Sequence, residues 1–294
     1  MKEKRRWKLH RLFLGFIAML ILAAAPVYAE GTWTVSQQLN TVPAYNSHMF
    51  YTIKGSEGGL IVVDGGYPQN SEYVKSVIIK EGGTVDLWIV THPHRDHAGA
   101  FITLAQDKSI KIKKVITVKI PEKVFFSEHQ YGYSLFKSFY NVLSGMKNVV
   151  YVKKDDVIRF KGLKLRFFNA YSKKQKFKLT DIYFLNVYSL VFRISGKNKS
   201  ILFTGDIYED LADELAKEYG SKLKSDFLQA PHHGRLKKEP VFFYKTVAPK
   251  KTFVDGSGTL NILELMKISK ILYLGTVNKV KISGSSCITM GKHY

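Results

Sequence analysis

The sequence is short of cysteine, of acidic residues and of histidine. Cys287 is the only cysteine in 294 residues. One thiol cannot close an internal disulfide, so the fold must rest on core packing or bound metal. No basic residue lies beside Cys287 in sequence to activate it, and a packed or surface place in a late strand is expected. No Gly-x-Ser-x-Gly elbow occurs, which removes one common nucleophile. There is no internal repeat and no low-complexity linker, so one domain is the simplest organisation. Histidine is scarce, nine in all, which gives weight to any place where histidines gather.

The chain has 24 acidic residues against 45 Lys and Arg, a formal net charge of +21. Such an excess favours polyanions: cell-wall phosphate polymers, phospholipid headgroups at an anionic surface, or nucleic acid. The bases are spread along the chain, at Lys111, Lys113 and Lys114, Lys153 and Lys154, Lys173 to Lys178, Lys237 and Lys238, Lys250 and Lys251. Spread charge is the pattern of a solvated surface, and no aromatic–basic track marks a nucleic-acid path. Hydrophobic residues at 45% and charged residues at 23% are globular values and exclude a disordered chain.

Met1 to Arg11 is basic, Leu12 to Ala25 is apolar, and Pro26-Val27-Tyr28-Ala29 places small residues where a signal peptidase reads. This is the form of an export signal, and cleavage after Ala29 is expected. The alternative, an uncleaved anchor, meets an apolar run shorter than the roughly 20 residues of a bilayer span. No cysteine near Ala29 offers a site for lipid attachment. Residues 1–29 hold six Lys or Arg and one acid, so 39 bases and 23 acids remain, a net charge of +16 for residues 30–294.

Short apolar runs broken by turn signals dominate the rest. Met49–Lys54 and Leu60–Asp64 around Gly55–Gly59 read as a hairpin. Tyr73, Val74, Val77 and Ile78 mark one face of a helix over Ser71–Glu81, stopped by Gly82-Gly83. Val85–Val90 is a buried strand, Ala98–Ala105 a helix, and Lys111–Ile120 another strand. Val149–Phe168 reads as consecutive strands with turns at Asp155-Asp156 and Lys161-Gly162, and Leu190–Ile194 pairs with Ser200–Thr204. Ile207, Leu211 and Leu215 repeat along a helix over Asp206–Tyr219. Short strands follow at Asp226–Gln229, Thr252–Val254, Ile271–Leu274 and Val280–Ile282. Leu135, Phe136, Phe139 and Tyr140 have the spacing of a buried helix face.

One strand runs straight into Thr91-His92-Pro93-His94-Arg95-Asp96-His97-Ala98-Gly99. Imidazole nitrogen and carboxylate oxygen suit zinc and related divalent ions. In an extended turn His92 and His94 can hold one ion. Asp96 and His97, further round the turn, can serve a second. Pro93 and Arg95 are spacers, and Gly99 lets the next helix approach closely. Two other strands end in candidate ligands, at Thr204-Gly205-Asp206 and Pro231-His232-His233-Gly234. Sites in α/β proteins form at strand ends, so the three clusters are expected to converge. Taken alone, Asp206 reads equally as a helix N-cap.

His92–His97 resembles the HxHxDH motif of the metallo-β-lactamase fold hydrolases. The resemblance extends over about Met49 to Ile282. Leu60–Gly66 is similar to the family's early strand and Asp-x-Gly turn. Asn186-x-x-Ser189-Leu190-Val191, Thr204-Gly205-Asp206 and His232-His233-Gly234 resemble the branch with the hydrolase domain of the competence-channel protein ComEC and the phosphorylcholine esterases. The resemblance implies an αββα four-layer sandwich over residues 30–294 and two zinc ions, with Mn2+ or Fe2+ as alternatives. It implies that His92 and His94 hold the first ion, Asp96 and His97 the second, and that Asp206 bridges them. His233 would complete the second site, although the order within the His232-His233 pair stays open. Asp64 would orient the metal loop from behind its ligands. Many members add a histidine ligand between the HxHxDH turn and the bridging Asp. Here that stretch holds only His129, read as a loop histidine, which leaves the first metal more open.

The expected chemistry is hydrolysis by a metal-bridged hydroxide, since paired ions lower the pKa of water toward about 7. Asp96, as ligand, and His232, as proton donor, are the candidate catalytic residues. The substrate is expected to be a phosphoester or phosphodiester, small or polymeric: wall polymer or phospholipid headgroup. Two other readings are hydrolysis of a lactone, thioester or β-lactam, and a non-catalytic wall- or nucleic-acid-binding module with a structural metal. The last fits poorly, because structural zinc sites are closed four-ligand sets. Phe125, Phe126, Tyr131, Tyr133, Phe136, Phe139 and Tyr140 are either core or lining of a pocket for a quaternary ammonium.

Overall fold

The apolar strands of this chain are buried on both faces, which is why they read as continuous hydrophobic runs. In a computed structural model, which describes residues 31–42, 44–125, 130–173 and 184–282, consecutive residues of one strand enter different cores. Ile61 and Val63 join one hydrophobic cluster while Leu60 and Val62 join another. Ile201 and Phe203 face the first cluster and Leu202 a third. The described residues fall in one compact unit, and no helix among them is long and apolar enough to cross a membrane. The leader to Ala29, His129, Phe126 and Cys287 lie outside the described residues, as do Lys174, Lys176, Lys178 and the side chain of Tyr131.

The elements of the first half are β1 (Trp33–Gln37), β2 (Phe50–Gly55), β3 (Leu60–Asp64), α1 (Ser71–Lys80), β4 (Thr84–Val85), β5 (Leu87–Ile89), α2 (Arg95–Leu104), β6 (Lys111–Ile112), β7 (Val115–Thr117), α3 (Glu122–Phe125), α4 (Gln130–Ser144) and β8 (Val149–Tyr151). The second half runs β9 (Val157–Phe160), β10 (Leu163–Asn169), β11 (Val191–Ser195), β12 (Ser200–Phe203), α5 (Glu209–Tyr219), β13 (Phe227–Gln229), α6 (Val241–Val247), β14 (Lys251–Val254), α7 (Leu263–Ile268), β15 (Lys270–Tyr273) and β16 (Asn278–Lys281). One sheet has the order β16-β1-β2-β3-β5-β7-β8 and the other β15-β14-β13-β12-β11-β10-β9, with β4 and β6 forming a small pair apart.

The expected hairpin is present, β2 pairing antiparallel with β3 from Phe50 opposite Asp64 to Lys54 opposite Leu60. Each sheet then turns parallel, β3-β5-β7-β8 in one and β12-β13-β14-β15 in the other. The core between the sheets takes Tyr51, Phe167, Phe192, Phe203 and Phe253. α1, α2 and α4 pack outside the first sheet through Val74, Ile78, Phe101 and Phe139. α5 and α6 pack outside the second through Leu215, Ala216, Phe243 and Tyr244. This is the expected αββα sandwich. Phe136 and Phe139 are core, as their helical spacing predicts.

Several boundaries differ from the sequence reading. The strand over Val85–Val90 is split at Asp86, whose carboxylate accepts from Leu60 N and Lys113 Nζ. The strand over Lys111–Ile120 is likewise two short pieces. The helix expected at Ala98 begins at Arg95, so Asp96 and His97 stand in its first turn rather than in an extended turn. The helix expected from Asp206 begins at Glu209 with Tyr208 in the cap position. Asp206 is therefore not an N-cap, and its carboxylate turns inward.

Candidate metal centre

Five strand ends meet at one edge of the two sheets. Asp64 closes β3, the His92–His97 segment follows β5, Asp206 follows β12, His232 and His233 follow β13, and Asp255 follows β14. The sheets are tied there: Leu190 N donates to Thr91 O at 3.0 Å, and Ser189 Oγ accepts from Asp206 N at 3.2 Å. The Asn186–Val191 segment is thus the seam that brings Asp206 to the histidine motif.

Asp64 sets the tautomers of two histidines. It is fully buried with φ +53, a left-handed conformation that Asp tolerates better than most residues. Its Oδ1 accepts from Thr91 N at 2.7 Å, and its Oδ2 accepts from Thr91 Oγ1 and from His97 Nδ1, each at 2.7 Å. Because the Thr91 hydroxyl gives its proton to Asp64, its oxygen is left to accept from His92 Nδ1 at 3.1 Å. His92 and His97 therefore carry protons on Nδ1 and turn Nε2 inward, the arrangement a metal requires. Gly66, at φ +72, is needed in the same turn: a Cβ there would lie 2.0 Å from His48 Nδ1.

Asp96, His97, Asp206 and His233 each turn one ligand atom into a space where all lie within 4.8 Å of one another. His97 Nε2 is 3.2 Å from His233 Nε2, 3.1 Å from Asp206 Oδ1 and 3.8 Å from Asp96 Oδ1. His233 Nε2 is 3.1 Å from Asp206 Oδ2 and 3.3 Å from Asp96 Oδ2. Ligands on bonds of about 2.1 Å stand about 3.4 Å apart in a tetrahedral site, so these separations are those of donors around one ion. Asp206 Oδ1 is buried and makes no hydrogen bond despite the nearby imidazole, as suits an oxygen that serves a cation. His92 Nε2 and His94 Nδ1 lie 2.9 Å apart, a second convergent pair beside the first. The donor set fits divalent metal.

The electrostatics agree. Burial works against the charge on Asp206, but His233 and His97 outweigh it and hold the carboxyl well below its usual range. Burial likewise opposes charge on Asp96 and is overcome by His97 and His233. Burial would depress His97, yet Asp206, Asp96 and Asp64 raise it well above 6.5. His233 behaves alike, burial being outweighed chiefly by Asp206, and is pushed up to about 10. Burial, reinforced by His97 and His94, pushes His92 down and keeps it neutral. The cluster is a cation trap that draws protons when no metal competes.

Within the His232-His233 pair, His233 enters the cluster and His232 stands at its edge. Both have left-handed backbones, φ +48 and +59, strained for non-glycine residues and characteristic of functional positions. His232 Nε2 is 3.9 Å from Asp206 Oδ2, and its side chain is 28% exposed, enough to reach a bound molecule. Burial holds its pKa below 6.5 against the opposing pull of Asp206. Tyr208 meets the His232 ring edge-on at 5.3 Å and accepts from Asn186 Nδ2 at 3.0 Å.

Some residues here carry no motif. Ser47 Oγ donates to Asp96 Oδ2 at 2.7 Å and lies 3.3 Å from the Tyr67 hydroxyl. Arg95, a spacer by sequence, places its guanidinium 5.6 and 5.8 Å from the centroids of the stacked Tyr45 and Tyr67 rings. Asp255 is fully buried beneath the site. A signal for Asp255 was present, since Val254-Asp255-Gly256 repeats the strand-then-Asp-Gly form of Val63-Asp64-Gly65. Nothing in the sequence marked Ser47.

Residues 46–168 match the model of the metallo-beta-lactamase superfamily, whose members are metal-dependent hydrolases. Among solved structures it is similar to CmlA, a diiron beta-hydroxylase from Streptomyces venezuelae, at 12% identity and a TM-score of 0.50, over 86% of this chain and 54% of that one. The chain thus spans about half the length of CmlA. It is also similar to the metallo-beta-lactamase fold protein YhfI from Bacillus subtilis, at 14% identity and a TM-score of 0.49, over 83% of this chain and 98% of that one. At these identities the likeness is one of fold. No curated protein sequence matches the chain.

Proposed function

We propose that the chain is an exported hydrolase with two zinc ions that cleaves phosphoester or phosphodiester bonds, in the manner of the ComEC-like branch. The observation that carries the reading is the paired arrangement of donors: four residues around one point, His92 and His94 around another, and Asp206 reaching the first with both carboxylate oxygens. Manganese or iron would accept the same nitrogen and oxygen ligands. Bound divalent ions supply a Lewis acid for the substrate oxygen and lower the pKa of water toward about 7.

The protein supplies the rest. Asp64 and Thr91 fix the imidazoles of His92 and His97, and Ser47 steadies Asp96. His232, neutral and part-exposed, takes a proton at Nε2 and returns it to the leaving group. The basic surface and the export signal favour wall polymer or phospholipid headgroups as the source of the ester.

Metal-loaded protein lacking residues 1–29 should hydrolyse bis-(p-nitrophenyl) phosphate or p-nitrophenyl phosphorylcholine faster than nitrocefin. Asp96→Ala and His97→Ala should each abolish turnover and lower the bound metal toward one ion or none. Hydrolysis of nitrocefin alone would transfer the reading to a carbonyl substrate, and full activity in either variant would refute the paired-ion centre.

A further inference from the structure

We propose that Asp255 is the positioning residue for His233, holding the His233 Nδ1 proton through one buried water as Asp64 holds that of His97 directly. The inference rests on the metal reading of the cluster and extends it to a residue outside every motif. A histidine that ligates through Nε2 must carry its proton on Nδ1, and that N–H needs an acceptor. His97 has Asp64. His233 has no such partner: its Nδ1 is buried and makes no hydrogen bond. Buried polar atoms are almost always satisfied, by protein or by ordered water.

Asp255 offers the complementary atom. Its Oδ1 is fully engaged, accepting from Tyr51 Oη at 2.6 Å and from Gln37 Nε2 at 2.7 Å. Asn278 Nδ2 fixes Gln37 in turn by donating to its Oε1 at 2.8 Å. Its Oδ2 is buried and makes no hydrogen bond. The two residues are neighbours, because a Cβ on Gly256 would lie 2.7 Å from the carbonyl oxygen of His233. Two buried, unmatched atoms, one donor and one acceptor on adjacent residues, are the ends that a single water joins.

The arrangement also fits the symmetry of the fold. Asp64 ends β3 and Asp255 directly follows β14, each before a glycine and one in each sheet. Each sheet then contributes one ligating imidazole and one carboxylate behind it. Ala98 N and His97 N hold His94 O, so His97 sits on a rigid helix turn, whereas His233 sits on a strained left-handed backbone.

The test is Asp255→Asn, which keeps the shape and the Oδ1 contacts but turns an N–H toward the water. The water then loses the carboxylate that accepts its proton, so the Nδ1–H form of His233 loses its anchor and the opposite tautomer, with its proton on Nε2, competes with metal. Zinc affinity, measured by competition with a chromophoric chelator, should fall about 10- to 100-fold. Two-bond nitrogen–proton spectra of the zinc-loaded protein should show the Nδ1–H form of His233 in the parent and its loss in the variant. Tyr51→Phe, which removes a contact to Oδ1 alone, should keep the Nδ1–H form, and this separates positioning from general damage to the buried network. A parent-like tautomer and zinc affinity in Asp255→Asn would overturn the proposal. Failure of the parent to bind any divalent ion would instead refute the metal reading itself.

Discussion

His97 Nε2 and His233 Nε2 stand 3.2 Å apart, although 136 residues separate them in the chain. Two imidazole nitrogens at that distance cannot both be protonated without repulsion, and neither has a side-chain donor to satisfy it. Asp206, which reaches both, makes the pair tolerable by its charge. A cation between them makes it favourable, and that difference underlies the response of the protein to metal and to pH.

In metal-free protein, His97 lies well above 6.5 and His233 at about 10. Folded-state pKa values above the unfolded value stabilise fully below pH 6.5, and that stabilisation is lost as pH rises toward 10. Melting temperature without metal should therefore decline across that range. Metal must displace the same protons, so affinity should rise with pH over the same window. Calorimetry in buffers of different ionisation enthalpy should record net proton release near pH 7. Binding without proton release would contradict the assignment of these histidines as ligands.

Asp64→Asn keeps a residue that accepts φ +53 and preserves the contact from Thr91 N, but it cannot accept from both His97 Nδ1 and Thr91 Oγ1. Metal affinity should drop about 10- to 100-fold, the usual loss for an outer partner of a ligating histidine. Equilibrium dialysis with metal analysis would measure it. Unchanged affinity would mean that the helix turn alone orients His97.

Gly99→Ala should destabilise the fold by more than about 2 kcal/mol. The new Cβ would lie 2.3 Å from Pro68 Cδ, 2.5 Å from Pro68 N and 2.7 Å from Tyr67 C. Two of these are backbone atoms and cannot rotate aside. Urea unfolding of metal-free protein would separate this cost from any loss of metal.

His48 is fully buried, and burial lowers its pKa to about 3, with Asp96 opposing. A histidine kept neutral in the fold stabilises above its unfolded value of 6.5, and that contribution is lost as pH falls from 6.5 toward 3. Acid unfolding should therefore begin below about pH 6.5. In His48→Gln the melting temperature should fall less steeply over pH 6 to 4 than in the parent. Equal slopes in the two proteins would place the acid sensitivity elsewhere.

Much of the site could be read from the residues because strand ends and ligand chemistry are local. His92, His94, Asp96 and His97 lie within six positions, and Asp206, His232 and His233 follow apolar strands as expected. The helix face through Phe136 and Phe139 and the hairpin at Gly55–Gly59 follow from period and turn residues. Boundaries were less legible. α2 begins three residues before its apolar face, since Arg95, Asp96 and His97 are held in the helix by its first turn and not by hydrophobic spacing. Asp206 could equally have capped a helix, and only its place beside His97 and His233 decides against that.

Taken alone, the sequence determined the apolar strands, the run of strands and helices and the kind of donor atoms available, because periodicity and side-chain chemistry are properties of short segments; the layered architecture was what the family resemblance implied. The tertiary structure alone decided which of the His232-His233 pair turns inward, since that depends on a left-handed backbone pressed between Val254 and Ile262 through Gly234. It also decided that Ser47 and Asp255 stand beside the donor cluster. Those relations join the two sheets across more than a hundred residues, and a contact that distant leaves no periodic trace in the chain.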